Sequence, residues 1–176
     1  MFGQVLQVLP LTLFTEAFVV RGAVRTGRRR VSDVLNEAEH EFVVLHDVVM
    51  TEFGSTGSEV RAEFAQVNLG AILFAVADEH VEPMPEMRLA KVQESAFISI
   101  PPFSLIGRIH LRPEPRLETR LGELIAPFFP VTDVTYWLDR PDEPRRTAPM
   151  VAVNRRRAQI LAPYDEPVGG TGTAEA

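Results

Sequence analysis

The chain has 176 residues, 45% of them hydrophobic and 24% charged, with no cysteine and a formal charge of −6. These proportions exclude wholesale disorder, a collagen-like chain and an all-membrane protein. The missing cysteine excludes disulfides, a thiol nucleophile, iron–sulfur clusters and cysteine-held zinc, and the acidic balance argues against general nucleic-acid binding.

The first ten residues carry no positive region ahead of their apolar stretch and no small-residue cleavage site follows, so no signal peptide is expected. No run of 18 apolar residues is present, so no membrane span is expected either, and the expected location is cytoplasmic. A short strand is predicted over Leu11–Thr15. The next stretch, Phe18–Arg25, alternates, with Phe18, Val20, Gly22 and Val24 on one face, which is the period of a half-buried strand. Its internal glycine points to a bulge or to close approach by another backbone. Val31, Val34, Leu35 and Ala38 then fall at helical spacing, with Ser32 or Asp33 as the capping residue. A strongly apolar strand, Phe42–Met50, leads to a hairpin tip at Gly54-Ser55-Thr56-Gly57, a return strand through Phe64–Val67, a turn at Asn68 and a closing apolar segment, Ile72–Ala77.

The same order then recurs. Phe97–Ile100, the alternating Phe103–Arg112 around Gly107, a helix through Leu117, Leu121, Leu124 and Ile125, the strand Phe128–Leu138, the tip Pro141-Asp142-Glu143-Pro144, Met150–Val153, Asn154 and Ala158–Ala162 repeat the first series. An offset of 86 residues places Leu35 on Leu121, Asp47-Val48 on Asp133-Val134 and Val67-Asn68 on Val153-Asn154. Ile72-Leu73 is matched to Ile160-Leu161 after a two-residue insertion. A tandem duplication follows. The expected fold is mainly β (α+β): two small modules, 11–77 and 95–162, each with one short helix, joined by an acidic, proline-containing linker, 78–94, and followed by a disordered tail, 163–176. A lone module has too little core to be stable, so the two should pack together about an approximate two-fold axis, as a barrel or a sandwich.

The stretch Arg30-Val31-Ser32-Asp33-Val34-Leu35-Asn36, followed by Phe42, Leu45-His46-Asp47 and Val67-Asn68, resembles a small bacterial domain of unknown function. That family shows Arg-Leu-Ser-Asp-x-Leu-Asn, then a Phe-x-x-Leu-x-Asp/Asn strand and a Val-Asn-Lys turn. The second unit departs from it, since Leu117-Glu118-Thr119-Arg120-Leu121-Gly122 lacks the Ser, Asp and Asn. The resemblance implies a bacterial cytoplasmic module and supplies no catalytic residues.

No phosphate-binding glycine loop or nucleophile elbow is present. His46 and Asp47 point to opposite faces of one strand and cannot chelate one metal, and the linker acids around His80 lack a ligand spacing, so neither metal nor cofactor is expected. Asp47 and Asp133 are the most suggestive acids. Brought together they would form a dyad, with His46 or His110 nearby, but a structural role in which each accepts backbone hydrogen bonds in an apolar strand is preferred. Arg28-Arg29-Arg30 and Arg155-Arg156-Arg157, with Arg145-Arg146, are candidate anion-binding turns. The reading favoured is a non-catalytic interaction or ligand-binding module that engages a protein partner or self-associates. The alternatives are an enzyme using Asp47, Asp133 and a histidine, and a nucleic-acid-associated factor using the arginine turns.

Overall fold

A computed structural model describes residues 6–27, 30–38, 40–54, 58–77, 91–114, 116–122 and 124–165. The strands are β1 (Gln7–Phe14), β2 (Phe18–Thr26), β3 (Phe42–Glu52), β4 (Glu59–Asn68), β5 (Phe74–Ala77), β6 (Val92–Ile100), β7 (Phe103–Leu111), β8 (Phe128–Leu138), β9 (Arg146–Asn154) and β10 (Ile160–Pro163). Two six-residue helices, α1 (Val31–Asn36) and α2 (Leu117–Gly122), and a one-turn 3-10 helix, Leu69–Ala71, complete the described elements. The expected mainly-β class holds. β1 and β6 begin earlier than expected, so Val92–Glu94 belong to a strand rather than to the linker, whose residues 78–90 lie outside the described residues, as do 166–176 of the tail.

All ten strands form one antiparallel sheet in the order β10-β6-β7-β8-β9-β5-β1-β2-β3-β4. The sheet is open, with β10 and β4 as its edges, so the barrel expected as one alternative is not formed. The order within β5-β1-β2-β3-β4 is the order within β10-β6-β7-β8-β9, and the two sets join through unlike edges, β5 against β9. A two-fold contact would bring like edges together.

The ladders fix the correspondence between the sets residue by residue. Gly22 corresponds to Gly107, Asp47 to Asp133 and Asn68 to Asn154. The closing strands differ from the sequence expectation. Phe14 pairs with Phe74 and the corresponding Ser99 pairs with Ile160, so Ile160 answers to Phe74 and no two-residue insertion is needed.

In both sets the glycine sits at a bulge. Between Arg21 and Ala23 the partner strand advances from Val49 to His46, and between Ile106 and Arg108 from Thr135 to Thr132, so one glycine faces two residues. The residues that absorb the extra length are Asp47 and Asp133, with φ of 52° and 51°. Aspartate is among the few residues that tolerate this left-handed conformation. A Cβ on Gly107 would stand 2.6 Å from Val131 Cγ1, and one on Gly22 would stand 3.0 Å from the His46 carbonyl oxygen. At Gly107 the partner strand comes too close for a side chain, and at Gly22 a methyl would fit only if the partner strand gave way slightly.

Two apolar cores lie on opposite faces of the sheet. Phe74 and Val76 of β5 pack with residues of β6–β9, whereas Ala75 and Ala77 pack with residues of β1–β3. β9 alternates in the same way, with Val151 and Val153 in one core and Ala152 in the other. Successive strand residues point to opposite faces, so each set folds its core on its own side and the junction is covered on both. α1 closes the first core with buried Val31 and Leu35; α2 lies on the second with half-buried Leu117 and Leu121. The N-cap of α1 is Arg30, with no side-chain cap bond, so the expected Ser32 or Asp33 cap is not made, and Ser32 is buried inside the helix instead.

Candidate functional site

A cavity of about 210 Å³ opens where the two strand sets meet. The end of β1 contributes Phe14, β2 contributes Val19 and Arg21, and β3 with its turn contributes Thr51, Glu52, Phe53 and Gly54. Across the junction stand Phe103, Tyr136, Trp137, Leu138, Glu143, Pro144 and Arg146. The floor is an aromatic cluster. Phe14 stacks on Phe74 at 4.5 Å, and Phe103 meets both rings edge-on at 5.5 and 5.2 Å. Phe53 and Tyr136 extend the cluster at 5.4 Å from Phe103 and 5.5 Å from Phe14. Such edge-to-face arrays add to area burial and hold the wall rigid.

The rim is polar. Burial pushes the Tyr136 phenol above its ordinary range, while the nearby Arg146 charge, a hydrogen bond from Arg146 and the Arg21 charge pull it back. Thr51 Oγ1 is buried with no hydrogen-bond partner among the described residues, and a buried hydroxyl in that state is costly unless something meets it. Arg145 lies over the Trp137 ring at 4.4 Å, a cation–π contact.

The structure does not assemble the dyad of the alternative, enzymatic reading. Asp47 on β3 and Asp133 on β8 are separated by four intervening strands. Both are exposed, not held in an apolar setting, and each takes the left-handed φ at its bulge. Asp133 approaches Arg108 at 3.8 Å across exposed side chains. His46 is half-buried on β3 beside Asp47 and far along the sheet from His110. His110 Nε2 pairs with Thr132 Oγ1 at 2.9 Å. Burial, and secondarily Lys91, lower its pKa below 6.5, with Asp133 opposing. Among the described residues no three metal-ligating side chains converge.

The arginine turns serve several ends. Arg28 and Arg29 lie outside the described residues, and Arg30 is the N-cap of α1. Arg155 and Arg156 are exposed, their backbone N–H groups donating to Pro127 O and Asn154 Oδ1. Arg157 forms an ion pair with Glu16 of the other strand set. Sequence reading missed Arg21, Thr51, Phe53 and Tyr136 as cavity residues. Arg145-Arg146, a candidate anion-binding turn, does place Arg146 at the cavity, but nothing local shows that it faces a tyrosine ten residues earlier.

No family model, curated protein or solved structure matches the chain. No helix among the described residues is long and apolar enough to cross a membrane.

Proposed function

We propose that the chain is a non-catalytic ligand-binding module of the bacterial cytoplasm, built by tandem duplication, that holds a small ring-bearing organic anion in the cavity between its two strand sets. The observation that carries this is the juxtaposition of an aromatic floor with Arg21 and Arg146 at one opening, with a buried Thr51 hydroxyl that has no partner among the described residues in the wall. Ligand sites have this composition, apolar walls with a few convergent polar groups. An apolar cavity of about 150 Å³ is enough for benzene, so 210 Å³ suits one or two fused rings. The guanidinium of Arg146 supplies a planar fork for a carboxylate. An enzyme reading built on Asp47 and Asp133 has lost its geometry, since four strands separate them.

Thermal-shift and calorimetric titration with benzoate and naphthoate tests the reading. Saturable stabilisation at one site, lost in Arg146→Ala and in Phe53→Ala, is the expected result. No binding of either probe, or binding indifferent to both substitutions, overturns it.

A further inference from the structure

Among the described residues the sheet ends at two unpaired edges, and these correspond to the two edges already joined inside the molecule. β4 answers to β9 and β10 to β5, and β9 pairs with β5. We propose that a second copy of this chain docks its β10 edge on β4, extending the sheet head to tail by repeating the internal junction.

Three observations carry the proposal. First, apolar residues at the free edges are bare where their counterparts at the junction are covered. Phe42, on β3 beside the β4 edge, is 37% exposed and its counterpart Phe128 is 2% exposed. Ile160 is 53% exposed and its counterpart Phe74 is fully buried. Phe64, on β4 itself, is 62% exposed. A ten-residue edge strand with exposed aromatic and aliphatic side chains is a template for pairing. Second, the backbone is set for it. Asn154 N–H donates to Leu73 O across the junction at 2.9 Å. Just after β4, Leu69 N–H donates inward to Glu41 O, so the alternation of an antiparallel ladder turns the N–H of Asn68 outward. The segment of β10 that would pair, Ile160–Ala162, answers to Phe74–Val76 and stops short of Pro163, which has no N–H to give. Third, charge matches. The exposed Arg155 and Arg156 precede β10, and in the repeated geometry they meet the end of β4 beside the exposed Glu41.

One element of the internal junction is absent from the external one. Asn36 of α1 clamps the Phe128 backbone through both amide groups, and its counterpart on α2 is Gly122, which cannot. The contact between copies is therefore reversible. Because unlike edges meet, it generates either an open array or a ring.

Sedimentation velocity of the full chain over a concentration series tests this. The parent chain should gain mass with concentration. Phe64→Glu and Ile160→Glu, both at exposed positions, should each be monomeric. Mixed together they should form a 1:1 dimer and nothing larger, since only one junction remains intact. Gly122→Asn should tighten association about tenfold, the worth of one or two net hydrogen bonds. A parent chain that stays monomeric at its solubility limit overturns the proposal. So do assemblies that persist in the glutamate variants, or that respond to Phe64→Glu alone, which would indicate pairing of like edges. A mixture that fails to dimerise, or a Gly122→Asn chain no tighter than the parent, overturns it as well.

Discussion

The side-chain amide of Asn36 pairs with the backbone of Phe128 as a strand would: Nδ2 donates to the Phe128 carbonyl and Oδ1 accepts its N–H, both at 2.8 Å. A six-residue helix of the first set thereby joins the ladder of the second. Asn154 answers from the other side. It is buried, donates through Nδ2 to Ile72 O at 2.9 Å and Leu69 O at 3.2 Å, and accepts from Arg156 N–H.

Asn36→Ala and Asn154→Ala should each lower stability, because the backbone groups they satisfy lose their partners at about 1–3 kcal/mol per site. Asn154→Ala should be the more costly of the two, since Asn154 is fully buried and Asn36 only half-buried; it strands Ile72 O and the Arg156 N–H, while Leu69 O keeps the Ile72 N–H. Urea unfolding of each variant measures the difference; Asn68→Ala, whose amide bonds only its own turn through Gly70 N–H, should cost less than either.

Asp47 and Asp133 hold their positions through φ rather than through their carboxylates. Asp→Gly and Asp→Asn at either site should leave the melting temperature near that of the parent or raise it. Asp→Val should lower it by the equivalent of about 1–2 kcal/mol or more, since a β-branched residue is strained at φ near 50°. A ranking in which Asn and Gly are as damaging as Val would show that the carboxylate itself matters.

Gly107→Ala should destabilise by about 1–3 kcal/mol, the usual cost of overpacking. Its added methyl would stand 2.6 Å from Val131 Cγ1 and 3.0 Å from Val134 Cγ2, both on stiff β-branched side chains. Gly22→Ala should cost less, as its closest contact is 3.0 Å. Equal thermal unfolding for the two alanine variants would contradict this ordering.

His110 gives the pH dependence a sign. Its pKa is lower in the folded chain than the ordinary 6.5, so the unfolded chain binds a proton more readily. Its contribution is fully present above pH 6.5 and is lost as pH falls through 6.5 towards the folded value. His110→Gln should therefore flatten the stability profile below about pH 6.5, read from chemical unfolding midpoints on either side of that value.

Much of the succession of strands along the chain was legible, though not their order in the sheet, because two-residue alternation survives in Phe18–Val24 and Phe103–Ile109, each with a glycine at the matching place. The bulge was legible for the same reason. The closing strands were misaligned because Ile72-Leu73 and Ile160-Leu161 look alike, while the actual match, Phe74 with Ile160, is set by pairing with Phe14 and Ser99. Apolar composition carries no register. Asn36 was read as part of a motif, but its partner Phe128 is 92 residues away, and no local pattern announces it. The cavity was illegible for the same cause: Arg21, Thr51, Phe103 and Tyr136 come from four strands.

The switch of faces at β5 changes what holds that strand in register. On β7 a slip by one residue would drive Arg108 and His110 into the core, so polarity forbids it. Phe74, Ala75, Val76 and Ala77 offer no polar residue to misplace. A slip there would instead exchange large for small, sending the Phe74 ring to the side shaped for Ala75 and leaving a void among Phe14, Phe103 and Tyr136. Within Phe74–Ala77 the strand is thus located by volume, and just before it by the Asn154 amide on Ile72 O and Leu69 O. A substitution that equalises its two faces, such as Ala75→Val with Phe74→Val, should blur its alignment without exposing a single charge.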